Sequence, residues 1–162
     1  MHIRSHREKA FSLVELSIVL VILGLLTGGI LTGQSLIRAS ELRSVATDLQ
    51  RYQAAVHTFR DKYFALPGDM PNATRFWGVQ HATPATCITT ASTTALTCNG
   101  DGNGQVADTT YEAFRFWQHL ANAGLIEGSY SGVTGPDSGF DHVIGVNAPR
   151  AKMSMRDGAF TM

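Results

Sequence analysis

Hydrophobic positions along the chain follow two regimes. Between Glu15 and Arg38 stand 22 residues without one ionisable side chain. At about 1.5 Å of rise per residue, a helix of that length spans roughly 33 Å, enough to cross a bilayer's hydrocarbon core. From Leu42 the pattern changes. Leu42, Val45, Leu49, Tyr52, Val56, Phe59 and Tyr63 recur at alternating steps of three and four, while Arg43, Asp48, Arg51, Arg60 and Asp61 take other positions. That spacing predicts an amphipathic helix with one buried face. No breaker separates the two regimes, so the pattern predicts one helix from about Phe11 to about Tyr63. Leu66-Pro67-Gly68-Asp69-Met70-Pro71, with two prolines and a glycine, ends it.

The rest of the chain is less regular. Apolar and threonine-rich stretches at 75–80 and 87–98 read as strands or loop edges, and Phe140 to Val146 reads as a strand. One helix is clearer. Thr109-Thr110-Tyr111-Glu112 has the form of a capping box, and Phe114, Trp117, Leu120, Ala121 and Leu125 follow at helical spacing, with Gly124 as the stop. The residues from Pro149 to Met162 show no strong pattern.

Composition narrows the possible classes. The chain of 162 residues is 44% hydrophobic and 16% charged, with 13 basic and 13 acidic residues, which excludes a disordered polyampholyte and gives no basic surface for nucleic acid. Arg4, Arg7 and Lys9 against Glu8 make the leading flank basic, which keeps it cytoplasmic and sends the C-terminal part outward. A removable signal peptide has an apolar region of only about 7 to 15 residues closed by a small-residue cleavage site. Here the run is longer and passes through Thr27-Gly28-Gly29 into a charged helical pattern, as a retained anchor does.

Glu15 is the exception within this design. A carboxylate at mid-depth in hydrocarbon costs at least about 2.5 kcal/mol, so it needs a partner or a headgroup-level position. The string around it, Lys9-Ala10-Phe11-Ser12-Leu13-Val14-Glu15-Leu16, followed by the aliphatic run, resembles the signal of type IV prepilins and type II secretion pseudopilins. The resemblance covers residues 7–37. It implies that a prepilin peptidase cuts between Ala10 and Phe11, that Phe11 becomes a methylated amino terminus, and that Glu15 pairs with the terminal amine of a neighbouring subunit. Ala10 departs from the family's usual glycine before the cut. The resemblance also implies an α+β, pilin-like fold: a long N-terminal helix, half transmembrane and half amphipathic, packed on a small antiparallel sheet of about four strands. The expected divisions are a leader at 1–10, a transmembrane and filament-core helix at 11–37, an amphipathic helix at 38–63, and a periplasmic head at 64–162. The sparse strand signal suggests a head that is C-terminally incomplete. Gly24, Gly28, Gly29 and Gly33 fall at spacings that let membrane helices approach closely, and by analogy they mark where the helix would unwind on assembly.

Two features concern the head. Cys87 and Cys98 lie on the outward side by the charge argument, and a disulfide is preferred there over free thiols or a metal site. Asn99-Gly100-Asp101-Gly102-Asn103-Gly104-Gln105-Val106 then matches the start of a calcium loop, with Asn99 in place of the first Asp and the terminal Glu missing. Asp101, Asn103 and Asp108 are the best calcium ligands, with Asn99 and the Gln105 carbonyl next. The alternative is a glycine-rich turn that needs only positive φ angles. Residues 63–149 hold seven acids against two arginines, a surface that attracts cations.

No nucleophile elbow, phosphate loop or dinucleotide fingerprint is present, so no enzyme is expected. The pattern is that of a structural subunit of a type IV pilus or a type II secretion pseudopilus, between which the sequence does not choose. Its partners would be the prepilin peptidase, other pilin or pseudopilin subunits, the inner-membrane assembly platform and the bilayer. The alternative is a monomeric membrane-anchored periplasmic module that binds calcium or another ligand.

Overall fold

The computed structural model describes residues 12–107, 111–136 and 141–151. They contain four helices: α1 (Leu13–Tyr63), α2 (Thr74–Trp77), α3 (Pro84–Cys87) and α4 (Glu112–Asn122). The chain divides into two compact units, Met1–Ser40 and Glu41–Met162.

In the first unit, α1 presents apolar side chains all round, and none of them is buried by the chain itself. This is the one described helix long and apolar enough to cross a membrane. Several of its hydroxyls bond to the helix itself. The hydroxyls of Thr27, Thr32 and Ser35 donate to the carbonyls of Leu23, Gly28 and Thr32 at 2.9, 3.0 and 2.8 Å, which removes the cost of an unpaired donor in an apolar surround. A side chain added at Gly24, Gly28, Gly29 or Gly33 would meet open space, so only an external neighbour could require glycine there.

In the second unit, the remainder of α1 supports a core of Ala55, Phe59, Met70, Ala73, Phe116, Trp117, Leu120, Ile126, Tyr130 and Ala148. Tyr52 meets Trp117 edge-on at 5.2 Å. The face of α1 turned inward differs from the expected stripe. Leu42 and Leu49 are 68% and 50% exposed, while Asp48 is only 6% exposed. The reason is the repeat. The stripe read from the sequence recurs every 3.5 residues, whereas a straight helix repeats every 3.6, and the two drift apart by about 20° per heptad. They coincide at Tyr52, Phe59 and Tyr63 and diverge towards the N terminus.

The expected antiparallel sheet is absent among the described residues, which corrects the α+β reading of the head. Isolated bridges join Val79 with Thr97 and Ile144 with Ala148. Local bonding explains this. Residues 74–77 and 84–87 close single helical turns instead of extending. Thr89 and Thr90 donate their hydroxyls to the Thr86 carbonyl, and Ser92 exchanges bonds with Thr94, so these hydroxyls compete for the groups a ladder would use. Ile144 leads directly into a turn through Gly145. Phe140 lies outside the described residues.

The short helix α4 is buried on every side from Glu112 to Leu120. Its polar side chains therefore need partners, and they find them in the loop between the cysteines. Arg115 Nη2 donates to the Cys87 carbonyl at 2.8 Å, Gln118 Nε2 to Leu96 at 3.1 Å, and Asn122 Nδ2 to Ala95 at 2.7 Å. Thr97 Oγ1 donates to Gln118 Oε1, which also accepts from Arg115 Nη1, both at 2.7 Å. His119 is wholly buried. Its Nδ1 accepts from the Gly68 amide at 3.0 Å, so Nε2 carries the proton and faces Thr97 Oγ1 at 3.0 Å. Burial, then the nearby Arg115 charge, lower its pKa to about 3. Burial also lowers Arg115 to about 10. The capping box expected at Thr109 to Glu112 falls on Thr109 and Thr110, which lie outside the described residues. Helix α4 starts at Glu112 after Tyr111, whose side chain makes no cap.

Candidate functional site

Of the residues expected to carry processing, Ala10 and Phe11 lie outside the described residues. Description begins with Ser12, and here Glu15 has a partner the sequence reading missed. Its Oε2 accepts from the Ser12 amide at 2.9 Å, while Ser12 Oγ accepts from the Val14 amide at 3.3 Å. Ser12-Leu13-Val14-Glu15 is a capping-box sequence at the start of α1, legible as Ser-x-x-Glu. The carboxylate thus satisfies an otherwise orphaned amide and faces the positive end of the helix dipole.

The cysteines are joined: Cys87 and Cys98 form a disulfide with Cα atoms 5.9 Å apart. Immediately after it, the glycine-rich loop folds around a residue that its own pattern does not contain. Asp69, from the turn that ends α1, accepts from the amides of Gly102 and Asn103 through Oδ1 at 2.6 and 3.0 Å, and from Gly104 through Oδ2 at 2.8 Å. Gly102 and Gly104 have φ of 75° and 84°, which turns these amides inward. Gly100 permits the approach. A side chain there would overlap the Gly68 carbonyl and the Asp69 backbone.

Around Asp69 the expected ligands are divided. Asp101 accepts from the backbone and side chain of Asn103, and Asn103 Oδ1 accepts from the Gln105 amide at 2.7 Å. Asn99 turns instead to α2, where Oδ1 accepts from the Thr74 amide at 2.9 Å. Asp108 lies outside the described residues. Glu112 joins from α4, accepting from the amides of Asp101 at 3.1 Å and Ala107 at 3.3 Å. Oxygens of Asp69, Asp101 and Glu112 lie within 4.8 Å of one another. Three carboxylates suit a hard cation such as calcium, and a carboxylate's two oxygens offer about four lone-pair sites, more than these bonds use. The crowding already shows in Asp69, whose pKa is raised by burial and by Asp101 and Glu112, against the lowering effect of the Gly104 and Gly102 amides.

Beside this loop runs an open groove of about 800 Å³, lined by His57, Arg60, Asp61 and Phe64 from the end of α1 and by Leu66, Asp69, Pro71 and the glycine loop. Phe64 follows α1 with φ of 54°, and its amide donates to the Arg60 carbonyl at 2.8 Å. Left-handed residues of this kind end many helices, and glycine or asparagine is the usual choice. A bulky side chain there carries about 1 to 2 kcal/mol of strain. The ring of Phe64 is 92% exposed.

Residues 5–31 match the prokaryotic N-terminal methylation motif. The chain carries the type IV prepilin and pseudopilin signal. The prepilin signal runs from the basic flank through Glu15 and ends within the apolar part of α1, after Gly29. No curated protein and no solved structure matches the chain.

Proposed function

We propose that the protein is a structural subunit of a type IV pilus or type II secretion pseudopilus, cut between Ala10 and Phe11 and methylated at Phe11. One observation carries this reading: a methylation motif at residues 5–31 leads into a helix whose apolar surface the chain leaves uncovered. Such a surface suits first a bilayer and then neighbouring subunits. In this reading residues 1–10 are a cytoplasmic leader, 11–37 the filament core, 38–63 the amphipathic continuation and 64–162 a periplasmic head. The prepilin peptidase, the inner-membrane assembly platform and further pilin or pseudopilin subunits are its partners. Catalysis has no place in it.

The role of Glu15 changes between states. In the single subunit it caps its own helix, and in the filament it pairs with a neighbour's terminal amine. A hydrogen bond to a charged group contributes about 1.5 to 3 kcal/mol net, while an ammonium and carboxylate brought together out of water are strongly coupled. The exchange therefore favours assembly over the intrachain cap. The decisive measurement is the intact mass and N-terminal residue of protein recovered from membranes with and without a prepilin peptidase. A start at Phe11 carrying one methyl group, seen only with the peptidase, is expected; a start at Met1 in both strains refutes the reading.

The convergence of Asp69, Asp101 and Glu112 favours a second reading alongside it, in which calcium binds the head. The expected result is a rise in the unfolding temperature of the full-length protein on replacing EDTA with calcium, abolished by Asp101→Asn. An equal midpoint in both buffers would dismiss calcium.

A further inference from the structure

The groove beside the end of α1 has features that folding does not explain. His57, Arg60, Asp61 and Phe64 succeed one another at steps of three, one and three, which puts them on one side of the helix end, where they line the groove. At the left-handed position a glycine or asparagine would end the helix with less strain. Phe64 stands there instead, and its ring is almost wholly in water. An exposed aromatic held in a strained backbone gains nothing from its own chain, and strain of this kind collects at binding sites.

The charges on the walls restrict what the ring could meet. Arg60 faces an incoming cation unfavourably, and Asp61 and Asp69 do the same for an anion. Among the described residues neither Arg60 nor Asp61 is held in an ion pair. A wholly apolar ligand would strip water from both charges without replacing it. What remains is a neutral molecule with an apolar face and a hydroxyl-rich edge, which describes a sugar ring. Its axial C–H groups are weakly positive and suit the negative face of an aromatic ring. Its neighbouring hydroxyls can accept from a guanidinium and donate to a carboxylate. About 800 Å³ lies within the usual range for ligand sites, and the open form suits a length of chain.

We propose that this groove binds a neutral oligosaccharide, with Phe64 as the stacking platform and Arg60 and Asp61 as the hydroxyl partners. The groove lies within residues 41–162.

The test uses the full-length protein in lipid nanodiscs, free of sugar-headed detergent, titrated with cellohexaose, maltohexaose and chitohexaose and read by saturation-transfer NMR. At least one is expected to bind with a Kd below about 1 mM. Phe64→Gly should weaken it about tenfold or more, Phe64→Trp should keep it, and Arg60→Ala should weaken it. Because glycine is better suited to the position, Phe64→Gly should unfold at the same or a higher temperature, so its loss of binding would not reflect misfolding. Three results would overturn the proposal: no binding of any hexasaccharide up to about 10 mM, equal binding by Phe64→Gly, or tighter binding of an acidic hexapeptide or a sulfated disaccharide than of the neutral sugars.

Discussion

Acidification from about pH 7 to about pH 4.5 is expected to remove stability through His119. The imidazole is wholly buried, its Nδ1 already accepts from Gly68, and its pKa is lowered to about 3 by burial and by Arg115. In the unfolded chain the same group has its ordinary value of about 6.5. Between those values the unfolded state binds a proton that the native state refuses. The contribution is therefore complete above about pH 6.5 and declines as pH falls, by about 1.4 kcal/mol per unit. Two units below 6.5 this amounts to about 2 to 3 kcal/mol, a large share of the usual stability of a small domain. Asp69 works in the opposite direction. Its raised pKa means stability is gained as pH falls through its folded value towards the ordinary carboxylate range. A comparison with His119→Asn separates the two, since Asn retains an acceptor for Gly68, does not titrate, and leaves Asp69 in place. Urea unfolding of the full-length proteins in micelles, followed by the fluorescence of Trp77 and Trp117, gives the difference in stability at each pH. That difference should shrink by about 2 to 3 kcal/mol between about pH 7 and about pH 4.5. A difference constant to within about 0.5 kcal/mol would refute a neutral, proton-refusing imidazole.

Two further outcomes follow from the head. Replacing both Cys87 and Cys98 by serine should lower stability by about 3 kcal/mol, the chain-entropy value for a loop of about 12 residues, and urea midpoints that do not move would discount the bridge as a stabilising tie. Gly100→Ala should cost about 1 to 3 kcal/mol or more, because the added methyl overlaps the Gly68 carbonyl and the Asp69 backbone. Gly104→Ala has open space around it and should cost only about 1 kcal/mol from its positive φ, so thermal midpoints in the reverse order would contradict the close approach at Gly100.

What could be read in advance was whatever depends on neighbours in sequence. The long helix, its end at Leu66 to Pro71 and the helix through Trp117 all rest on local periodicity or local breakers. The phase of the buried face was harder. A 3.5-residue stripe and a 3.6-residue helix differ too little over one heptad to be told apart, and Asp48 was assigned to the polar side that Leu49 in fact occupies. Asp69 could not have been found from the calcium-loop pattern, since it lies more than 30 residues upstream and enters through a tertiary contact. Glu112 was visible as a cap for its own helix and as a neighbour of the missing terminal position of the calcium loop, and its oxygens accept from the amides of that loop. The capping role of Glu15 was legible in Ser12-x-x-Glu15, since the amide it accepts from lies only three residues away.

The attachment of the disulfide loop to α4 has a consequence for how this surface can change. Arg115, Gln118 and Asn122 reach the loop through the carbonyls of Cys87, Leu96 and Ala95, groups that every amino acid supplies. Apart from the buried Thr97 hydroxyl, which bonds Gln118, the fastening is thus indifferent to which side chains the loop displays. Thr89, Ala91, Thr93 and Thr94 point outward and are exposed, so this stretch behaves like a mounting plate whose face can be exchanged while its bolts stay in place. Diversity of the displayed surface and permanence of its scaffold are here assigned to different parts of the same residues.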